Sequence, residues 1–287
     1  MDHVLYPKSS KIEVILTSNS RSTAARPAPN PPIRISHSAT RSLSLRCPDP
    51  RFTMTQAAST ILAAAIVAAG YLCALCTTPP NPSPERKDRH NTDRVSFFTG
   101  SFATVVRRIA VTAITYHALL VVLPDYAPAR LPQMCPRAAN RDAALFQWSA
   151  VSAAALLLIY LGAYVRLAAY HGLGQFFTFH LAAPDRLVTT GVYRWIQHPS
   201  YLGLVLIEMG CGALFLRWDA TPACWMAEET FARFQGWGTA VIAGGFGLGL
   251  VILSTRVRDE EEMLRQKFGQ EWEAWHRSTK RFIPGLV

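Results

Sequence analysis

Charge is scarce in this chain of 287 residues: 17% are Asp, Glu, Lys or Arg, while 50% are hydrophobic. The apolar residues come in long blocks joined by short Pro- or Arg-rich connections, which is the pattern of a multi-span membrane protein rather than of a soluble domain. Closely spaced cysteines are almost as scarce. Of six, only Cys73 and Cys76 form a C-x-x-C, without a second pair or a histidine. Inside an apolar run they read as small buried residues, so neither a metal site nor a disulfide framework is expected. Basic and aromatic residues nowhere interleave on a soluble domain, which argues against nucleic acid as a partner despite a net charge of +10.

Five apolar blocks stand out, at about 56–76, 109–123, 143–165, 201–216 and 236–254. The first carries no charge and has the ~20 residues that cross a hydrocarbon core. The second is shorter and begins beside Arg107 and Arg108, which can snorkel to the interface. The third stops at Arg166, and the last two are close enough in sequence to form a hairpin. Gly245 and Gly249 in the fifth stand four apart, a spacing that permits close helix approach but specifies no function. The expected fold class is all-α: a multi-span helical membrane protein of about five transmembrane helices plus a C-terminal cytosolic helix.

The first 53 residues lack any sustained apolar period and hold eight Lys or Arg against three acidic residues, so disorder is expected there. An Arg- and Ser-rich transit peptide is one reading; upstream sequence absent from the mature protein is the other. Five spans put the termini on opposite sides. The basic connections ("ERKDRHNTDR", 166–194, and Arg256 with Arg258) face the C-terminal side, which the positive-inside rule makes cytosolic. A basic arm on the other side is misplaced, so Met54 is the expected start and the functional domain runs over 54–287.

Polar residues at membrane depth are functional suspects, and two segments concentrate them: 166–200, too long for a mere link between packed helices, and the tail, 256–287. These are the expected cofactor and catalytic segments. In "TTGVYRWIQHPSYLG", residues 189–203, Gly191 suits a tight turn. Pro199 favours an extended His198 and a helix starting beside it. His198 and Tyr201 then stand together at the rim of the fourth span, where free N–H groups suit a carboxylate or another polar ligand group; a plain helix cap is the competing reading. In the tail, Val257, Met263, Leu264, Phe268, Trp272 and Trp275 recur at helical spacing from Arg256 to about Arg277, with a charged opposite face. Arg256 shares a face with Glu260, which spacing alone also explains as a surface ion pair.

Together these segments resemble the isoprenylcysteine carboxyl methyltransferase family, within a wider group of membrane methyltransferases that includes phospholipid N-methyltransferases. The first family pattern stands here as Leu187, Val188, Thr189, Gly191, Tyr193, His198, Pro199, Tyr201 and Gly203; the second as Arg256, Glu260, Glu261, Leu264, Phe268, Gly269, Trp272, Ile283 and Pro284. "LGQFFTFHL" and "TPPNPSP" also look like fungal-type members, and the similarity runs from about Thr77 to Val287. One departure is that Gln197 stands where an arginine usually precedes His-Pro.

The resemblance implies methyl transfer from S-adenosyl-L-methionine to the C-terminal carboxylate of a prenylated cysteine, presented by CaaX-type proteins or as a small prenylcysteine. The implied setting is the endoplasmic reticulum membrane, with the catalytic side cytosolic. By position, the cofactor falls to Leu187, Val188, Tyr193, His198, Pro199, Ser200, Tyr201 and Glu260. Arg256 faces the substrate carboxylate, and catalytic roles fall to Arg256, Glu260 and Glu261. A phospholipid N-methyltransferase is the nearest rival; its amine must lose a proton, to Glu261 or His180 as base. A sterol-type reductase has a similar tail, but Met263 occupies the place of its cysteine. A transporter or scaffold leaves the clustered motifs unexplained.

Overall fold

The computed structural model describes residues 50–85 and 100–283. The expectations placed on residues 1–49, on all but the first residue of "ERKDRHNTDR" and on Pro284 lie outside those residues. Among them the secondary structure is helical: α1 (Pro50–Cys76), α2 (Ser101–Tyr126), a short α3 (Leu131–Met134), α4 (Ala150–Leu173), α5 (Pro199–Leu214), α6 (Glu228–Phe268) and α7 (Gln270–Ser278), with single 3-10 turns in the connections. Four helices are long and apolar enough to cross a membrane, within Thr55–Cys76, Ser101–Tyr126, Ala143–Phe176 and Glu228–Phe268; α5 is a shorter apolar helix. The chain is a multi-span helical membrane protein.

Three boundaries differ from the sequence expectation, each for a physical reason. The third block does not stop at Arg166, because that charge is buried inside α4 and satisfied there. Its Nε donates to the Cys76 carbonyl at 2.7 Å, and Nη1 donates to the Ser200 carbonyl and hydroxyl at 3.0 and 2.9 Å. The second block begins not near Ile109 but at Ser101, since Arg107 likewise finds a partner, the Thr77 carbonyl at 3.0 Å. The tail is no separate helix from Arg256. α6 carries the fifth span and the charged segment as one 41-residue helix, and the break falls at Gly269, whose φ of 53° is open to glycine.

The bundle core gathers Leu62, Ile66, Ile114, Leu156, Ile159 and Leu214 from α1, α2, α4 and α5. α5 packs chiefly along α4 and more lightly on α6, which runs antiparallel to it, with Glu260 at Tyr201 and Gly249 at Glu208. The α4–α5 approach is so close that a Cβ at Gly203 would lie 2.6 Å from the Gly162 carbonyl oxygen, and one at Gly210 2.6 Å from that of Ala155. Gly245, by contrast, has nothing within 4 Å, and Gly249 meets only the Glu208 side chain of α5, so the Gly245/Gly249 pair marks no close approach of helix backbones.

The expectation of no disulfide is corrected: Cys135, after α3, is bonded to Cys224, before α6. The two lie 89 residues apart in sequence, and only the return of the chain to the same end of the bundle joins them. Cys73 and Cys76 are free thiols, Cys76 buried and Cys73 half-buried.

Candidate active site

The ends of α1, α4 and α6 meet the start of α5 at the end of the bundle opposite the disulfide. Gly191 takes a φ of 62° and opens a 3-10 turn over Gly191–Arg194, which buries the Tyr193 ring. Pro199 is the first residue of α5, as the His-Pro pair predicts, but His198 (φ −124°, ψ 56°) is not the extended residue expected there; it stands outside both the helical and the extended regions. The last residues of the tail then lie alongside. The Gln197 and His198 amides donate to the Lys280 and Arg281 carbonyls at 2.8 and 3.0 Å. Gln197 Nε2 donates to the His276 and Thr279 carbonyls at 3.0 and 2.8 Å. The glutamine is therefore a buried clamp on the tail, a task for which a neutral amide with donors and an acceptor is suited.

A polar row forms where α5 and α6 face each other. Tyr201 donates its hydroxyl to Glu260 Oε2 at 2.6 Å and accepts from Arg256 Nε at 3.3 Å. Arg256 Nη2 donates to the Phe179 carbonyl at 2.9 Å. His198 stands between the two glutamates, with Nε2 3.1 Å from Glu261 Oε1 and Nδ1 3.8 Å from Glu260 Oε1. His198 Nδ1 is buried without a hydrogen-bond partner. Glu261 also accepts two bonds from Arg281, from Nε and Nη2, each at 2.8 Å. Burial pushes the Glu261 carboxyl up, but the hydrogen bonds from His198 and Arg281 outweigh it and hold the group below the usual carboxylate range. Burial pushes the Tyr193 phenol up, so it stays protonated.

Beside this row lies a cavity of about 720 Å³ that runs from the polar end into the apolar helices. Leu187, Val188, Tyr193, His198, Pro199, Ser200, Tyr201, Arg256 and Glu260 all line it, so two segments some sixty residues apart share one wall. His180 and Met263 line it too. Glu261 does not; it lies behind His198, facing Arg281. Three residues that position the site were missed by the sequence reading: Arg166, which holds Ser200, Arg281, which holds Glu261, and Phe179, whose carbonyl fixes Arg256. A charge within an apolar run signalled Arg166; nothing in the spacing signalled Arg281.

Residues 154–234 match the model of the "Isoprenylcysteine carboxyl methyltransferase (ICMT) family". The match includes the His198–Tyr201 stretch and ends before Arg256. Among curated proteins, the chain is 29% identical over 144 residues to a protein-S-isoprenylcysteine O-methyltransferase of Schizosaccharomyces pombe, covering 48% of this chain and 52% of that one. It is 42% identical over 65 residues to the protein of the same name from Saccharomyces cerevisiae, covering 21% and 27%. A probable protein-S-isoprenylcysteine O-methyltransferase of Oryza sativa subsp. indica is 26% identical over 138 residues, covering 47% and 61%. The matches thus span between about a quarter and three fifths of these relatives' lengths.

Proposed function

We propose, from the premise that residues 154–234 belong to the isoprenylcysteine carboxyl methyltransferase family, that this chain methylates the C-terminal carboxylate of a prenylated cysteine, with S-adenosyl-L-methionine as donor. The observation that carries this reading is the shared wall, where Tyr201 bonds both Glu260 and Arg256 at the mouth of a cavity that continues among lipid-facing helices. The residues fit the donor on the buried, unpartnered His198 Nδ1 and on the tyrosine rings of Tyr193 and Tyr201, which favour a cationic group at their faces. Leu187, Val188, Pro199 and Ser200 would complete its pocket, with Glu260 accepting from its polar end. When bound, the donor supplies an electrophilic methyl group on a sulfonium.

The chain's own work is then positioning. The acceptor is a carboxylate with a pKa of about 3.5, ionised at neutral pH, so no general base is needed. Arg256, fixed by Tyr201 and Phe179, holds that carboxylate by charge-assisted hydrogen bonds, and orientation of this kind is worth several kcal/mol of barrier. The apolar wall excludes water from charges that vanish in the reaction. Glu261 acts through His198, whose ring it orients. The prenyl chain enters from the bilayer between helices and lies along α5 and α6.

We take residues 54–287 as the functional domain. We place the protein in the endoplasmic reticulum membrane with the site end cytosolic. The Cys135–Cys224 disulfide at the opposite end supports this, since it suits an oxidising lumen. The test offers purified protein in lipid a methyl-labelled donor, with farnesylcysteine and phosphatidylethanolamine as competing acceptors. Base-labile label on farnesylcysteine is expected; stable label on the phospholipid would overturn the reading in favour of an N-methyltransferase.

A further inference from the structure

The cavity contains a second polar point that methyl transfer does not use. Along α5 its wall is formed by Tyr201, Leu204, Glu208 and Cys211, which share one helix face. Glu208 stands seven residues beyond Tyr201, about 10 Å deeper along the helix axis. α6 passes it with Gly249, where a Cβ would lie in ordinary contact, 3.6 Å from Glu208 Oε2. Just below, the Cys211 thiol is 3.8 Å from that of Cys73, and both line the same cavity. The remaining lining at this depth is apolar, with Val111, Ile114, Ile207 and Leu253. Among the described residues the Glu208 carboxylate makes no hydrogen bond, and Arg166, whose charge reaches it, is committed to Cys76 and Ser200.

A carboxyl at membrane depth is expensive unless something answers it. We propose that Glu208 is the polar contact of a tail-binding subsite, and that the acceptor favoured here carries a hydroxyl on its isoprenoid chain, near the second isoprene unit from the sulfur. This rests on the prenylcysteine reading above. A hydroxyl matches a carboxyl in either protonation state, donating to the carboxylate or accepting from the acid, whereas an amine would bring a further charge into the bilayer. The thiols of Cys73 and Cys211 add weak polar contacts beside it.

The experiment uses the full chain in lipid nanodiscs with two acceptors, farnesylcysteine and its analogue hydroxylated on the second isoprene unit. Both methyl transfer and thermal stabilisation by acceptor alone are measured. The wild type is expected to favour the hydroxylated acceptor by about five- to tenfold in kcat/KM, the size of one hydrogen bond, mostly through KM. Glu208→Leu should lose that preference, while Glu208→Gln keeps part of it. Equal use of both acceptors by the wild type, or a preference that survives in Glu208→Leu, overturns the proposal. If neither acceptor is methylated, stabilisation decides. Stronger stabilisation by the hydroxylated analogue, lost in Glu208→Leu, upholds the subsite while the transfer reading falls; equal stabilisation sinks the subsite as well.

Discussion

Replacing Arg281 with leucine strips Glu261 of its paired donor and leaves it His198 alone. Two charge-assisted bonds at 2.8 Å are lost; each is worth about 1.5–3 kcal/mol where water is excluded. The Arg281 side chain is 48% exposed while that of Glu261 is 10% exposed, so screening reduces the loss to about 1–2 kcal/mol for the pair. For a chain of this size that lowers Tm by about 2–8 °C. The pH dependence follows from the direction of the Glu261 shift. Its folded pKa is depressed, so its contribution is complete above the unfolded value of about 4.3 and is lost as pH falls through the folded pKa. Without Arg281 the depression shrinks, and the acid limb of stability moves to higher pH. Thermal unfolding in detergent from pH 3.5 to 7.5 reads both effects, and Arg281→Lys, a point charge without the planar fork, should recover part of each. A leucine variant with unchanged Tm and an unchanged acid limb would refute the coupling of tail to site.

Two substitutions separate the ligands. Arg256→Ala should abolish methylation of farnesylcysteine while donor binding, followed by calorimetry, stays near wild type; His198→Ala should weaken donor binding itself, by tenfold or so for one lost buried hydrogen bond. Gly203→Ala drives a methyl against the Gly162 carbonyl and the Arg166 backbone, at 2.6 and 2.8 Å, and should cost about 1–3 kcal/mol of thermal stability. Gly249→Ala meets only Glu208 at ordinary contact distance and should leave Tm unchanged in the same assay.

What sequence alone conveyed was the part of the architecture that water and lipid dictate. Apolar runs long enough to cross a bilayer announced themselves, as did the helix start at Pro199 and the turn at Gly191, because each is a local property of the chain. Helix ends were harder. Arg166 and Arg107 looked like stops since a charge in an apolar run ordinarily is one, yet both find backbone carbonyls on neighbouring helices, and those partners are not encoded nearby. The Cys135–Cys224 bond failed for the same reason: it depends on where the chain returns. In the site, the type of each residue hinted at polar chemistry, but the division of labour between Glu260, which lines the cavity, and Glu261, which stands behind His198, needed the three-dimensional arrangement. Gln197, read as a lost charge, turned out to hold the tail that delivers Arg281.

The unbroken course of α6 gives the molecule a mechanical property. Its apolar half and its charged half, which carries Arg256 and Glu260, are one continuous helix, so a tilt imposed on the first is carried toward the second. Bilayers that are thicker or thinner than the span tilt helices to different degrees. The gap between that helix and Tyr201 thereby becomes a gauge of the surrounding lipid.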